Sequence, residues 1–459
     1  MLISCLSALC FLIPLCFLGL FTQSRSLLED DDYSPISAPA PAPEPSPAQI
    51  VFNVMSYGAA GDGISDDTEA FKMAWDAACQ SQLPSLLLLP PHRTFLIQSV
   101  ILTGPCKTNA LVFQVEGTIM APDGPESWPR SYSKRQWLVF YRINGMSMQG
   151  GGVIDGRGAK WWELPCKPHR GINGTTLPGP CDSPVAIRFF WCSNLRMEGV
   201  KMKNSPQFHV RFDRCEHVQI ESIFIKSPAG SPNTDGIHLE NTNHVTIYNS
   251  LISNGDDCVS IGAGSYNIYI KNITCGPSHG ISIGSLGMKN TAACVWNITV
   301  SESVIKHSDN GVRIKTWQGG YGAVSAVTFR NILMDTVRNP IIIDQYYCSG
   351  AGRAACPNQT AAVSVTGVSY EGIKGTYDVR SPPVHLACSD AVPCTNLTVS
   401  DVELLPAEGQ RILDPFCWNA YGDVATLTVP PLFCLIGGDP RLAGAGAGAD
   451  RQLLDHTCP

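Results

Sequence analysis

The chain has 459 residues, a formal net charge of -7, 44% apolar residues and only 15% charged residues. This length is sufficient for a large buried core, and the lack of a basic surplus argues against nucleic acid as a partner. The 42 glycines, 34 prolines and many valine- and isoleucine-rich stretches indicate a β-rich chain with numerous turns.

The two ends of the chain differ in composition from its centre. Residues 1–24 are apolar, carry no charge and end in small and polar residues, which predicts a secretory signal peptide. A retained membrane anchor is the alternative, because the apolar run approaches the ~20 residues that span a bilayer and lacks a positive start. Residues 25–49 are acidic and then proline-rich, which predicts an extended linker. The folded body is therefore expected at 50–438, followed by a flexible tail at 439–459.

The cysteines and glycosylation sequons also favour export. Of 19 cysteines, 16 lie beyond the signal peptide, an even number that is compatible with full pairing in an oxidising compartment. Short separations favour three disulfides, although spacing alone does not fix connectivity: Cys166–Cys181, Cys258–Cys275 and Cys348–Cys356. Five N-x-[ST] sequons predict glycans on exposed turns: Asn173, Asn272, Asn297, Asn358 and Asn396. We expect a secreted glycoprotein.

A single amphipathic helix is predicted near the start of the body. Asp66 and Glu69 have the spacing of a capping box, and the pair Asp66 and Asp67 suits the partly positive N-terminus of a helix. Five apolar residues fall on one helical face: Ala70, Phe71, Ala74, Trp75 and Ala78. This helix is expected to cap the N-terminal end of the fold.

From residue 194 onward the sequence contains a loose internal repeat. Alternating apolar residues, a break and another short strand recur, with successive starts 23, 27, 23, 30 and 29 residues apart. The repeats are NLRMEGVKMKNS (194–205), HVQIESIFIKSP (217–228), HVTIYNSLISNG (244–255), NIYIKNITCGPS (267–278), NITVSESVIKHS (297–308), AVTFRNILMDTV (326–337), VSVTGVSYEGIKG (363–375) and NLTVSDVELLP (396–406). Such a period indicates a solenoid, a propeller or a stacked array.

The repeat favours an all-β fold, a right-handed single-stranded parallel β-helix in which each coil gives short strands to sheets running along the molecule. No helix-length amphipathic window separates the strands, which argues against helical and leucine-rich repeats. A sandwich or propeller of antiparallel hairpins is the alternative, weakened by the scarcity of two-residue turn signals.

Coil spacing brings ionisable residues together. Asp235 precedes Asp256 and Asp257 by 21 and 22 residues, and His279 follows them by 23 and 22. Residues one coil apart are expected on neighbouring rungs, about 4.8 Å from one another. Three acids and a histidine are therefore predicted to converge on one face, where Gly255 allows the backbone to bend so that both adjacent acids reach the same cleft.

Cationic residues follow on the next coils. Arg313 and Lys315 are two positions apart, so they project from the same face of a strand, and Tyr347 comes 32 residues after Lys315. Hydrolysis of a glycosidic bond requires a protonated carboxyl group and a second carboxylate, and clustered acids raise at least one pKa. Arginine and lysine suit a substrate that carries carboxylates, which points to a polymer of uronic acids.

Four motifs occur in a fixed order: SPNTDG (231–236), GDDC (255–258), SHGISIGSLG (278–287) and RIKTW (313–317). They resemble the signatures of the plant polygalacturonases, glycoside hydrolase family 28, and the likeness covers residues from about 50 to 435. The resemblance implies a β-helix that hydrolyses the α-1,4 bonds of pectin with inversion, needs no metal or other cofactor, and acts as a secreted monomer in the cell wall, without stable membrane association. Ser278 stands where the family usually has glycine.

The resemblance also implies a role for each site residue. Asp256 corresponds to the general acid, and Asp235 and Asp257 to the pair that activates water. His279 supports the ionisation of the acid. Arg313 and Lys315 would bind galacturonate carboxylates, and Tyr347 would border the same subsite. Cleavage within the chain and cleavage from its ends both stay open.

Two rival functions share the predicted fold. A pectate-type lyase would use the aspartates to hold Ca²⁺ and a basic residue to abstract a proton, which would give unsaturated products and sensitivity to chelators. A non-catalytic wall-binding protein would keep the cationic face while a change such as Ser278 has silenced the cleft. It would bind pectin without releasing reducing ends.

Overall fold

The computed structural model describes residues 49–129, 134–164, 169–170, 176–177, 183–348, 356, 358–438 and 458. The predicted signal peptide, all but the last residue of the linker, the Cys166–Cys181 pair and Asn173 lie outside this set. Of the predicted tail, Cys458 is described, and a disulfide joins it to Cys294. No helix among the described residues has the length and apolar character needed to cross a bilayer.

The described chain forms a parallel β-helix, as the repeat predicts. Twenty strands build one continuous, mostly parallel sheet, which we call the long sheet. They are Ile50–Asn53, Asp62–Asp66, Ser85–Leu89, Thr94–Leu96, Leu111–Val115, Thr118–Met120, Asn144–Gln149, Val153–Asp155, Ser193–Glu198, Lys201–Lys203, Glu216–Glu221, Phe224–Lys226, Asn243–Ser253, Ser265–Cys275, Ala292–Lys306, Tyr321–Val337, Ser364–Tyr377, Cys394–Ser400, Glu403–Pro406 and Ala420–Val424.

Eleven shorter parallel strands form a second sheet, which we call the site sheet. They are Val100–Thr103, Gln136–Tyr141, Val185–Phe190, Val210–Asp213, Ile237–Glu240, Val259–Ile261, Ile281–Leu286, Asn310–Thr316, Asn339–Asp344, Val384–Ala387 and Phe416–Trp418. The short strands His169–Arg170 and Thr176–Leu177 pair with each other in antiparallel orientation.

The register of the long sheet confirms the repeat at residue level. The second residues of seven repeats lie in one paired row and point into the core, because apolar residues at coil spacing can be buried together only in this phase. In the repeat at 363–375 the residue in this row is Val368, the sixth of the motif, so the register there differs from the quoted start. The resulting ladder is Leu195, Val218, Val245, Ile268, Ile298, Val327, Val368 and Leu397. The inner face of the site sheet also contains a stack of Phe140, Phe189 and Phe212, with ring centroids 5.0 and 4.9 Å apart.

The amphipathic helix is present at Thr68–Gln80 and buries the predicted face, including Phe71 and Trp75. The predicted capping box is wrong. Asp67 occupies the N-cap position, and its carboxylate instead accepts hydrogen bonds from the Ala60 and Gly61 amides. Asp66 accepts from the Thr68 amide at 3.0 Å, and Glu69 pairs with Lys72. A one-turn helix, Ala159–Trp162, and a 3-10 turn, Val54–Tyr57, complete the helical segments described.

Six disulfides are formed among the described cysteines, including the predicted Cys258–Cys275 and Cys348–Cys356 pairs. Full pairing is wrong, because Cys192 and Cys215 are buried thiols. Each lies within hydrogen-bond distance of a backbone carbonyl oxygen, that of Phe140 at 3.3 Å and that of Phe189 at 3.5 Å, so neither is left as an unpaired polar group.

Candidate active site

The site lies on the outer side of the site sheet, where the strands begin. Ile237, Val259 and Ile281 pair in register on three neighbouring strands. The residues two positions before them are Asp235, Asp257 and His279, so these three occupy equivalent places on successive coils. This arrangement confirms the column that coil spacing predicts. Asp235, Asp256 and Asp257 are all buried, with exposed fractions of 6%, 7% and 1%.

Adjacent carboxylates share the cleft because Asp256 and Asp257 precede the strand rather than lie within it. The Asp257 carbonyl accepts hydrogen bonds from the Gly236 amide and the Asn254 side chain, and the Asp256 carbonyl accepts one from the His279 amide. The Asp257 amide also donates to the carboxylate of Asp256, at 2.9 Å. These bonds hold the backbone of Asp256 and Asp257 in a conformation that is not a β-strand. Neighbouring side chains therefore need not point to opposite faces, as they would in a strand.

Gly255 is required here for space rather than for bending. A Cβ atom at this position would lie 2.0 Å from the Ser231 carbonyl oxygen, and its backbone does not adopt a left-handed conformation. The preceding coil therefore passes directly over Gly255. The Gly255 amide donates to the Thr234 hydroxyl at 3.0 Å. This hydrogen bond joins the loop of Asp235 to the loop of Asp256 and Asp257.

Asp257 is surrounded by donors from the following two coils. Its Oδ1 accepts from Arg313 Nη2 at 2.7 Å and from Ser282 Oγ at 2.8 Å, and its Oδ2 accepts from Lys315 Nζ at 2.8 Å. Arg313 Nε also donates to Ser282, at 3.0 Å. Burial alone would raise the pKa of Asp257, but the charges of Lys315 and Arg313 outweigh it and hold this pKa below its usual range.

Asp235 has the opposite environment. Burial and then the negative charge of Asp256 raise its pKa, and the nearby His238, with Nδ1 3.9 Å from Asp235 Oδ2, offsets the shift only in part. Its backbone carbonyl accepts from the amide of His209 at 2.8 Å, which anchors this rung to the coil before it.

His279 sits against Asp256, with Nδ1 3.0 Å from a carboxylate oxygen. Burial would lower the pKa of His279, but Asp256 and Asp257 outweigh it and raise this pKa above its ordinary value. The exposed Asp309 lies 3.6 Å from His279 Nε2. The protonated imidazole and the Asp256 carboxylate therefore stabilise each other.

Ser278 points away from the cleft. Its buried hydroxyl lies 3.1 Å from Cys275 Sγ and 2.9 Å from Ser308 Oγ, and it accepts from the Gly280 amide at 2.9 Å. The side chain therefore points into the packing between coils and helps to hold the turn that carries His279.

Tyr347 follows the strand next to that of Arg313 and Lys315. The Lys315 ammonium group lies 5.5 Å from its ring centroid, a cation–π distance, and the Trp317 ring packs edge-on against it at 5.4 Å. All seven residues identified from the sequence are therefore gathered on one face of the site sheet.

Two contributors were missed by the sequence reasoning, Ser282 and His238. Each lies three residues after a member of the column, on the outward side of its strand, and the register His238, Ser260, Ser282 and Arg313 repeats at coil spacing. That spacing was the available signal, because residues at equivalent places on successive coils share one face.

The cluster also contains potential metal ligands. Oxygens of Asp256 and Asp257 and a ring nitrogen of His279 lie within 4.8 Å of one another. Both Asp257 oxygens already accept from cationic side chains, and an ion bound to them would be repelled by the charges of Arg313 and Lys315. The donor set thus fits a divalent cation poorly and fits proton transfer better.

The fold and the site together define a parallel β-helix protein with a cluster of buried carboxylates, the residue type that glycosidases use. The model of the glycosyl hydrolases family 28 matches residues 79–413, so the chain belongs to this family and is a glycoside hydrolase.

Named relatives agree with the family. A probable polygalacturonase of Arabidopsis thaliana is 43% identical over 382 residues, 83% of each chain, and polygalacturonase-2 of Solanum lycopersicum is 40% identical over 381 residues, 83% of this chain and 80% of that one. The crystal structure of a hyperthermoactive exopolygalacturonase from Thermotoga maritima aligns with a TM-score of 0.64 at 22% identity, over 80% of this chain and 89% of that one. At this identity the likeness supports the fold alone.

Proposed function

We propose that the protein hydrolyses α-1,4-galacturonosidic bonds of homogalacturonan by an inverting acid/base mechanism. The observation that carries the proposal is the convergence of three buried carboxylates with Arg313 and Lys315 on one face. Carboxylates alone would suit any glycoside, whereas the adjacent cations suit a sugar that carries its own carboxylate. The family and its polygalacturonase members support the same substrate.

In the proposed reaction Asp256 donates a proton to the leaving glycosidic oxygen. Water, activated by Asp235 and Asp257, attacks the anomeric carbon from the opposite face of the sugar and gives one proton to one of these two carboxylates. The raised pKa of Asp235 makes this carboxylate the stronger base of the two. Protonated His279, 3.0 Å from Asp256, stabilises the carboxylate that remains after the proton has left.

Arg313 and Lys315 have two tasks in this scheme. They neutralise Asp257 before substrate binds. Each side chain has further N–H donors, which in this scheme bind the carboxylate of the sugar. Tyr347 covers Lys315 and borders the same subsite. We further propose that the protein is secreted as a monomer, does not bind membranes stably, and acts in the plant cell wall.

The test is hydrolysis of polygalacturonate at mildly acidic pH by the purified mature protein. We expect wild type to release reducing ends, and Asp256→Asn to lower the rate by about 10³-fold, because general acid catalysis contributes on this order. Asp335→Asn, in which an exposed carboxylate of the long sheet is changed, is the control and should retain full activity. Full activity in Asp256→Asn would remove Asp256 from its role.

The products separate the rival functions. Release of saturated ends that persists in chelator supports hydrolysis, whereas products that absorb in the ultraviolet and are lost with chelator would indicate a lyase. Binding of polygalacturonate without release of ends would indicate a wall-binding protein. The anomeric configuration of the first product, read by NMR, tests inversion. A ladder of oligomers over time means internal cleavage, and monomer alone means cleavage from chain ends.

A further inference from the structure

His238 is a histidine beside Asp235 that has no role of its own in the proposed reaction. It lies on the strand Ile237–Glu240, and its side chain is 14% exposed. Its Nδ1 lies 2.5 Å from Ser260 Oγ, on the following strand, and 3.9 Å from Asp235 Oδ2, whereas its Nε2 lies 3.5 Å from Glu240 Oε2. Each ring nitrogen therefore faces a carboxylate. An ionised carboxylate only accepts hydrogen bonds, so this placement favours the imidazolium form, which has an N–H on both nitrogens.

The orientation of the His238 ring is set by contacts on two sides. The ring stacks on Phe208, with centroids 4.6 Å apart and 14° between the ring planes. Gly262, on the following coil, leaves space for the Glu240 carboxylate, because a Cβ atom there would lie 2.1 Å from Glu240 Oε2. The stacking and the contact with Glu240 thus keep Nδ1 on the side of Asp235.

The charged groups that face His238, in the described part of the chain, come from its own coil and from the coil before it. Burial and the positive charge of Arg211 act to lower the pKa of His238. The carboxylates of Asp235 and Glu240 outweigh both and raise this pKa above its ordinary value. Arg211 is itself paired with Asp213, with Nη2 2.7 Å from Oδ1. His238 is therefore a cation at mildly acidic pH.

Asp235 depends on this cation because its surroundings are otherwise unfavourable for charge. Among the described residues Asp257 is paired with an arginine and a lysine, whereas Asp235 is paired with His238. Burial and the charges of Asp256 and Asp257 raise the pKa of Asp235. His238 acts in the opposite direction. A base must be ionised to accept a proton, so a cation that lowers its pKa extends the reaction to lower pH.

We propose that His238 is a positioning residue for Asp235, whose positive charge, oriented by Glu240, keeps the Asp235 carboxylate available as a base at lower pH. The proposal rests on the proposed function, because it concerns the base of the same reaction. In this scheme the imidazolium does not take a proton from water. It acts only through Asp235.

The first test is the pH profile of kcat/KM on polygalacturonate. His238→Asn keeps a neutral N–H donor near the place of Nδ1 but removes the charge. We expect the acidic limb of the profile to move up by about one pH unit, so that kcat/KM falls about tenfold at the foot of the limb and by less as the pH rises. His217→Asn, which changes an exposed histidine of the long sheet, is the matched control and should leave the profile unchanged. A loss by the same factor at every pH, or no loss, would overturn the proposal.

The second test follows the imidazole signals by NMR during a pH titration and needs no substrate. The interaction between two charges is reciprocal, so Asp235→Asn should lower the pKa of His238. The signal of the exposed His217, in the same spectra, is the reference and should titrate alike in both proteins. An unchanged titration of His238 in Asp235→Asn would overturn the proposal, whatever the activity. If wild type failed to cleave polygalacturonate, the proposed function would be wrong, while a lowered pKa of His238 would still support the pairing with Asp235.

Discussion

The two halves of the active site contain the same residue type in opposite electrostatic states. On one side, Asp257 accepts three hydrogen bonds, two of them from cations, and its pKa is lowered. On the other side, one coil earlier, Asp235 faces the charge of Asp256, and its pKa is raised. Both carboxylates are buried, so burial does not distinguish them. What separates them is the number of cationic donors that reach each one.

The reach of those donors depends on small residues between the coils. Arg313 lies two strands from the strand that follows Asp257, and Ser282 on the intervening strand leaves room for its side chain and bonds to it. Gly284 serves Lys315 in the same way, because a Cβ at this position would lie 2.1 Å from the Lys315 carbonyl oxygen and 3.1 Å from its Cγ. A β-helix can thus assemble a carboxylate from one coil with cations from another.

The largest effect is expected for Asp257→Asn, which breaks the cationic half. The change leaves Arg313 and Lys315 buried without their shared counter-charge, which should lower the free energy of unfolding by about 3 kcal/mol. Activity should fall by about 10³-fold, because a water-activating carboxylate is lost as well. Urea unfolding and reducing-end release measure the two effects.

The control for Asp257→Asn is Asp401→Asn, which breaks the exposed ion pair with Lys374. Exposed pairs contribute about 0–1 kcal/mol, so this variant should unfold almost as wild type does. If the two variants lost the same free energy of unfolding, Asp257 would not stabilise the buried Arg313 and Lys315 side chains. The proposed electrostatic difference between Asp257 and Asp235 would then be wrong.

A smaller effect, with the opposite sign in stability, is expected for Asp235→Asn. Activity should fall by about 10²-fold, because a base is lost. The free energy of unfolding should rise at neutral pH, because the change removes a buried charge that is repelled by Asp256. A clear loss of stability in this variant would show that Asp235 is favourably paired.

The pH dependence of stability gives the same contrast. The pKa of Asp257 lies below its ordinary value of 3.8 in the folded protein, so its stabilising contribution is complete above pH 3.8 and is lost as the pH falls through the lowered pKa. The pKa of Asp235 lies above 3.8, so its cost is absent below pH 3.8 and grows as the pH rises through the raised pKa. The stability gained by Asp235→Asn should therefore increase as the pH rises from 3.8 to the raised pKa and then level off, whereas the stability lost by Asp257→Asn should stay constant above pH 3.8.

Coil spacing predicted most of this site because a parallel β-helix turns sequence separation directly into position. Asp235, Asp257 and His279 are one repeat apart, and the apolar ladder fixes the phase that stacks them. The spacing could not show close approaches between coils. Gly255 was interpreted as a bend, although the Ser231 carbonyl is what excludes a side chain there.

Local chemistry also overrode two patterns. The Asp67 carboxylate accepts hydrogen bonds from the amides of Ala60 and Gly61. These residues lie outside the helix, so the spacing of a capping box could not predict the contact. Cys192 and Cys215 are thiols that contact backbone carbonyl oxygens rather than forming a disulfide, so an even count of cysteines did not mean full pairing.

The smallest effect is expected for Ser278→Gly, which restores the residue usual in the family. The serine hydroxyl accepts from the Gly280 amide and contacts Ser308, so its loss should cost about 1 kcal/mol of stability and loosen the turn that carries His279. Because the side chain points away from the cleft, kcat should change by less than about threefold. A rise in kcat of more than tenfold would instead mean that Ser278 suppresses catalysis. The half of the site around Asp235, Asp256 and His279 would then be held by the serine in an unproductive position.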